Sequence, residues 1–173
     1  MAPSTSLLQK IASTDLGLDL LGGLVTQARA TLIGEQNLPR RGGALLVGNH
    51  ALGGLDAFPL TALLIVHTGR VPRFLGERNL WRIPGLSLLL AAAGAIPGAP
   101  DAAVRLLAAG ELVCVYPGGI DDSFKLTSEA YTLKWGARAG FAADEAAVER
   151  VRRATVAAME SVLGPYRSGL AVA

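Results

Sequence analysis

Cysteine is almost absent from this chain of 173 residues: Cys114 stands alone. An internal disulfide is therefore excluded, and with only two histidines the chain cannot furnish an ordinary structural zinc site. Cys114 lies inside the apolar run Leu112 to Val115, which marks it as a small buried hydrophobe rather than a nucleophile. Aromatic residues make up only 5% and charged residues only 17%, the latter below the usual quarter. Sixteen basic against 14 acidic residues leave a formal net charge of +2, too balanced to argue for nucleic acid. A long unbroken apolar run is missing too. The longest uncharged stretch, Ile83 to Pro100, holds Pro84, Pro97 and three glycines, too short and too broken to cross a membrane. No basic segment leads into an apolar core near Met1, so no signal peptide is expected.

What is present is aliphatic. Hydrophobic residues reach 51%, supplied by Ala, Leu and Val, and the mean hydropathy is +0.40. A chain of this length builds one domain with a real core. Its surface is not expected to be wholly exposed to water. A cytoplasmic protein peripheral to a membrane fits these facts.

Short apolar runs alternate with helical patterns along the chain. Residues 5 to about 29 read as a helix so apolar all round, from Leu16 to Val25, that it must bury itself in protein or in a membrane interface. Ser13 to Asp15 offers cap chemistry within it. Ala30 to Gly34 reads as a short strand and Glu35 to Gly43 as a turn-rich connector. Strands are then expected at Ala44 to Val47, Val71 to Leu75, Gly94 to Pro97 and Leu112 to Tyr116. Helices are expected from Asp56 to Thr68, from Leu80 to Ala93, and from a cap at Asp101 to Gly110. Asp121 to Trp135 reads as a polar loop, in which Asp121 and Asp122 are either exposed or the source of a carboxylate for the site beside Pro117-Gly118-Gly119, and Ala142 to Leu163 as a long helix. The alternation predicts an α/β fold, a single domain with a mainly parallel sheet flanked by helices. Three segments follow: an apolar helix over 1–29, an α/β core over 30–142, and a helix with tail over 143–173.

Chemistry concentrates at the end of the second apolar run. Asn49 and His50 follow Val47 and Gly48, where open α/β sheets place their ligands, and Asp56 lies six residues beyond His50. This pairing reads as a general base with an orienting carboxylate. It also reads as a strand-end histidine followed by an aspartate that caps the next helix. His67, near a helix end, reads as structural.

Three separated blocks resemble the glycerolipid (1-acylglycerol-3-phosphate / lysophospholipid) acyltransferase family over roughly residues 31 to 142. Asn49-His50 with Asp56 is similar to its histidine–aspartate motif, one residue longer than the usual interval, beside Gly53-Gly54. Gly76-Glu77-Arg78-Asn79-Leu80-Trp81 resembles the second block, where an arginine lies near the acceptor. Val115-Tyr116-Pro117-Gly118-Gly119 resembles the third, although phosphate-acceptor members carry Pro-Glu-Gly there. Pro-Gly-Gly, with Trp135, Arg138, Gly140 and Phe141, is similar to the mono- and diacylglycerol acyltransferase-like branch.

The resemblance implies a glycerol-3-phosphate acyltransferase-like fold and transfer of a fatty acyl group to a lipid hydroxyl. His50 would take the hydroxyl proton and Asp56 would orient the ring. Asn49, Arg78, Tyr116, Pro117, Gly118 and Gly119 would contact substrate. Glycine-turn amides near His50 or Gly118-Gly119 would form the oxyanion hole. No metal or cofactor is implied; acyl-CoA or acyl carrier protein is a co-substrate, and lipid acceptor and membrane surface are the partners. The family pattern continues past Gly140-Phe141-Ala142 into a helix and strand, whereas here Ala143 leads directly into the charged helix Asp144 to Glu160. That shortening also admits an inactive relative that binds lipid or a protein partner, and water as acceptor would make the chain a thioesterase or esterase.

Overall fold

The computed structural model describes residues 7–50, 54–129 and 132–134. Four of the short apolar runs become strands: β1 (Ala44–Val47), β2 (Arg73–Gly76), β3 (Ile96–Pro97) and β4 (Leu112–Val115). They form one parallel sheet in the order β1-β4-β2-β3. Register is set by Phe74 opposite Cys114 and by Leu75 opposite both Val115 and Ile96. Parallel neighbours require crossover segments, which the helices supply. The crossovers are α3 (Ala57–Thr68), α4 (Leu86–Ala92) and α5 (Pro100–Ala108), while α1 (Leu7–Ala12) and α2 (Asp15–Gln27) precede β1 and a short α6 (Gly119–Ser123) follows β4. The α/β architecture with a parallel sheet is the one the alternating pattern predicts.

The chain divides into two compact units: residues 1–46 with 55–115, and residues 47–54 with 116–173. The core of the first gathers Leu64 of α3 with Leu112 and Cys114 of β4, against which Leu38, Ala44, Leu46, Leu60 and Phe74 pack. Ala62, Leu63, Leu64 and Ile65 are all buried, as befits a helix apolar on every side. Each buried Leu or Ile contributes about 1.5–3 kcal/mol. At the start of β2 the buried Arg73 lies 3.6 Å from Glu111. Arg70 donates to the carbonyls of Pro39, Gly42 and Gly110, at 2.7 Å each, and so ties three connectors together.

Several local expectations are corrected. The helix expected from residue 5 to 29 is two helices, because Thr14 leaves the helical region and caps α2, its Oγ1 accepting from Gly17 N–H at 3.1 Å. A Cβ on Gly17 would overlap the Ile11 carbonyl, so glycine permits the tight reversal. Helix α2 packs on α3 and leaves Leu16 and Leu20 exposed. Residues 30–34 are not a strand; without a neighbouring strand their β-branched residues have nothing to pair with. Arg78–Arg82 forms a 3-10 turn before α4, separated from it by Pro84 and by Gly85 at φ 80°. Helix α5 starts at Pro100, and Asp101 sits in its first turn paired with Arg105 at 2.5 Å. Among the described residues no helix is long and apolar enough to cross a membrane. Trp135, Arg138, Gly140, Phe141 and the helix expected over 142–163 lie outside the described residues.

Candidate active site

Gly48, Asn49 and His50 follow β1, and Tyr116 follows β4, its neighbour in the parallel sheet. Both segments therefore leave the sheet at its carboxyl end, where such sheets bind ligands. The Tyr116 ring lies flat on the His50 imidazole, centroids 3.8 Å apart and planes 11° from parallel. Glycine at 48 makes this approach feasible, because a Cβ there would stand 2.9 Å from Tyr116 Cε1. The stack covers one face of the imidazole and restrains its rotation. Gly54, at φ 74°, lies against the Cε1–Nε2 side of the ring: a Cβ at that position would lie 3.2 Å from His50 Cε1 and 3.4 Å from Nε2. Gly48 thus makes room for the Tyr116 ring and Gly54 for the imidazole, and Gly54 also uses a backbone region that L side chains disfavour.

Behind the histidine sits a buried charge network. Asp122 of α6 is 0% exposed, and its Oδ2 accepts the His50 backbone N–H at 2.8 Å. Its Oδ1 faces Lys125 Nζ at 2.9 Å and accepts the Lys134 backbone N–H at 3.3 Å. Lys125 also donates to Asn49 Oδ1 at 3.3 Å and to the Thr132 carbonyl at 3.0 Å, which occupies its three ammonium donors. Two charges removed from water are tolerated only when their remaining valences are satisfied in this way. The turn into α6 is closed by Gly119, at φ 52°, whose N–H donates to the Tyr116 carbonyl at 3.0 Å. Ser123 Oγ donates to the Gly119 carbonyl at 3.0 Å.

His50, Asn49, Tyr116, Pro117, Gly118 and Gly119 thus gather in the second unit, while Asp56 and Arg78 belong to the first. Asp56 occupies the N-cap position of α3, as the helix-cap reading has it, but in helical conformation and with no side-chain cap bond. Arg78 spends its Nε–H on the Gly98 carbonyl at 3.0 Å. In the same block Trp81 packs over Gly76, where a Cβ would stand 2.8 Å from Cη2. The His50 and Gly119 amides, two candidates for the oxyanion hole, are taken by Asp122 and by Tyr116 O.

Of the two readings of Asp122, the exposed loop residue is corrected: it is fully buried, and its carboxylate holds the backbone of the histidine. Lys125 was no candidate from sequence at all. The available signal was their i,i+3 spacing directly after Pro-Gly-Gly. His67 pairs with the Glu35 side chain, in line with a structural role. Cys114 is buried, and desolvation pushes its thiol up to about 12. Among the described residues no group of three or more His, Cys, Asp or Glu side chains could hold a metal ion.

A match to the family described as Acyltransferase covers residues 29–156. A bovine (Bos taurus) "DGAT1/2-independent enzyme synthesizing storage lipids" is 34% identical over 109 residues, which are 63% of this chain and 32% of that protein. Its human counterpart is 33% identical over 63% of this chain and 33% of its own length. An uncharacterized protein of Mycobacterium leprae is 37% identical over 117 residues, 65% of this chain and 32% of its own. The chain therefore spans about a third of the length of these relatives. No solved structure matches it. With the matched region running from before β1 to beyond α6, and so containing the whole His50–Tyr116–Asp122 assembly, the chain belongs to the Acyltransferase family.

Proposed function

We propose that this chain is an O-acyltransferase that moves a fatty acyl group from acyl-CoA or acyl carrier protein to a hydroxyl of a lipid acceptor. The observation that carries this reading is the His50 imidazole seated on Tyr116, its Cε1–Nε2 side bordered by a glycine that carries no side chain. A general base needs a nitrogen that a reacting hydroxyl can reach, in a ring held from behind.

In the proposed step His50 accepts the acceptor's hydroxyl proton as that oxygen attacks the thioester carbonyl. The tetrahedral intermediate collapses, the C–S bond breaks, and the imidazolium returns its proton to the leaving thiolate. The products are an ester and a free thiol, with no redox change and no metal or cofactor required. Asp56 orients the imidazole and stabilises its protonated form. The oxyanion is met by a donor other than the His50 and Gly119 amides, which are already engaged. Asn49, Tyr116, Pro117, Gly118 and Gly119 line the substrate side, and the remaining N–H groups of Arg78 take the acceptor's polar head or the donor's phosphates.

A lipid acceptor is favoured by the relatives named for storage-lipid synthesis. Working at the cytoplasmic surface of a membrane is favoured by the exposed leucines Leu16 and Leu20 on α2.

The deciding experiment follows radiolabelled acyl-CoA with purified protein and liposomes carrying lipid alcohols. Labelled ester that depends on the added alcohol is the expected product. Free fatty acid as the main product would replace this reading with a thioesterase. No turnover, together with liposome binding, would replace it with an inactive lipid-binding relative.

A further inference from the structure

We propose that Asp122 is the positioning residue for His50, and that positions 118 and 122 are alternative sources of the one carboxylate that holds the His50 amide. This rests on His50 being the general base. The first observation is the bond itself. Asp122 lies 72 residues beyond His50 in sequence, yet its Oδ2 accepts the histidine's backbone N–H at 2.8 Å. Together with the Tyr116 stack, this fixes both the Cα and the ring plane of His50.

The second observation concerns what the bond requires. A peptide carbonyl could accept the same N–H without burying an ion. Here the acceptor is a fully buried carboxylate that needs Lys125, with a side chain only 9% exposed, to offset its charge. Desolvating two ions costs several kcal/mol, which a neutral acceptor would avoid. Lys125 in turn holds the side chain of Asn49, so the pair grips two consecutive residues of the strand-end segment.

The third observation links Asp122 to the Pro-Gly-Gly turn. A Cβ on Gly118 would overlap Asp122 Cβ and fall 2.7 Å from Cγ and 3.1 Å from Oδ2. A side chain at 118 therefore enters the volume that the Asp122 carboxylate fills. The two positions compete for one place, and glycine at 118 is the consequence of aspartate at 122. A glutamate at 118, as in a Pro-Glu-Gly turn, would deliver its carboxylate to the same region once Asp122 is removed.

The test compares Asp122→Ala, Gly118→Glu and the double variant Gly118→Glu/Asp122→Ala with the parent. Readouts are kcat, KM for the acyl donor, melting temperature, and hydrogen exchange of the His50 amide in nitrogen-15-labelled protein. Asp122→Ala should lower kcat about 100-fold, the scale set by a misplacement near 1 Å, with a much smaller change in KM. Its His50 amide should lose protection. Gly118→Glu alone should melt earlier than the parent, because two carboxylates then contend for one site. The double variant should regain amide protection and about ten-fold or more in kcat over Asp122→Ala, a rescue that general loss of stability would not give. A folded double variant with an unprotected His50 amide would overturn the proposal, as would Asp122→Ala with kcat within about twofold of the parent.

If neither 122 variant folds, Asp122→Ala/Lys125→Met decides, since it leaves no lone ammonium buried. A lost His50 amide and a lowered kcat support the proposal, and parental values for both overturn it. Should the parent itself transfer no acyl group, the general-base reading fails, while amide protection still reports whether Asp122 and a glutamate at 118 exchange.

Discussion

At Gly54 the backbone φ of 74° and the 3.2 Å between a Cβ built there and His50 Cε1 make two separate demands for glycine. The left-handed region costs a non-glycine residue roughly 1–2 kcal/mol, and the added methyl would press on the ring's Cε1–Nε2 edge. Gly54→Ala should therefore lower unfolding stability in urea by about 1–2 kcal/mol. It should also reduce kcat by more than that loss of folded protein explains; unchanged kcat in a folded variant would show that the edge is not the reacting one. Cys114 makes the opposite kind of residue-scale prediction. Its thiol is pushed up to about 12 by burial, so iodoacetamide at pH 8 should label it only after unfolding. Because the folded value is raised, this thiol's contribution to stability is complete below the unfolded value near 9 and is lost as pH rises toward 12. At this scale the sequence disclosed types better than partners. His50 with its Asn49 neighbour was readable as strand-end chemistry. Asp122 was readable only as one of two candidate carboxylates, because an aspartate in a run of polar residues looks solvated until Lys125 and a distant backbone amide are found against it.

Among the elements, the strands were the most readable. Ala44 to Val47, bounded by Gly43 and Gly48, and Leu112 to Val115, between Glu111 and Tyr116-Pro117, are short apolar runs, and both form strands of the parallel sheet. The N-terminal helices were read as one because apolar content continues across Ser13-Thr14, while the break depends on capping geometry. That cap gives a direct test. Thr14→Ala removes the acceptor for Gly17 N–H and should cost about 1 kcal/mol, measured by urea unfolding, whereas Thr14→Ser should cost much less. An unaltered midpoint for the alanine variant would mean that α1 and α2 are held by packing alone. Asp56 shows the complementary limit. The residue occupies the N-cap position that spacing indicates, but its side chain makes no cap bond, so spacing located the helix start and not the bond.

For the molecule as a whole, the alternation of apolar runs and helical patterns was enough to reach an α/β parallel-sheet fold, because only crossover helices can join parallel neighbours. Family membership follows from a match over residues 29–156. Function has a narrower base, since the chain spans about a third of its relatives' length, and it comes down to what His50 does. The most direct measurement is kcat of a folded His50→Ala variant with acyl-CoA and a lipid alcohol, its melting curve matched to the parent. A general base typically contributes 10²–10⁴-fold, so transfer should fall by about 100-fold or more. Transfer within about twofold of the parent would contradict the account.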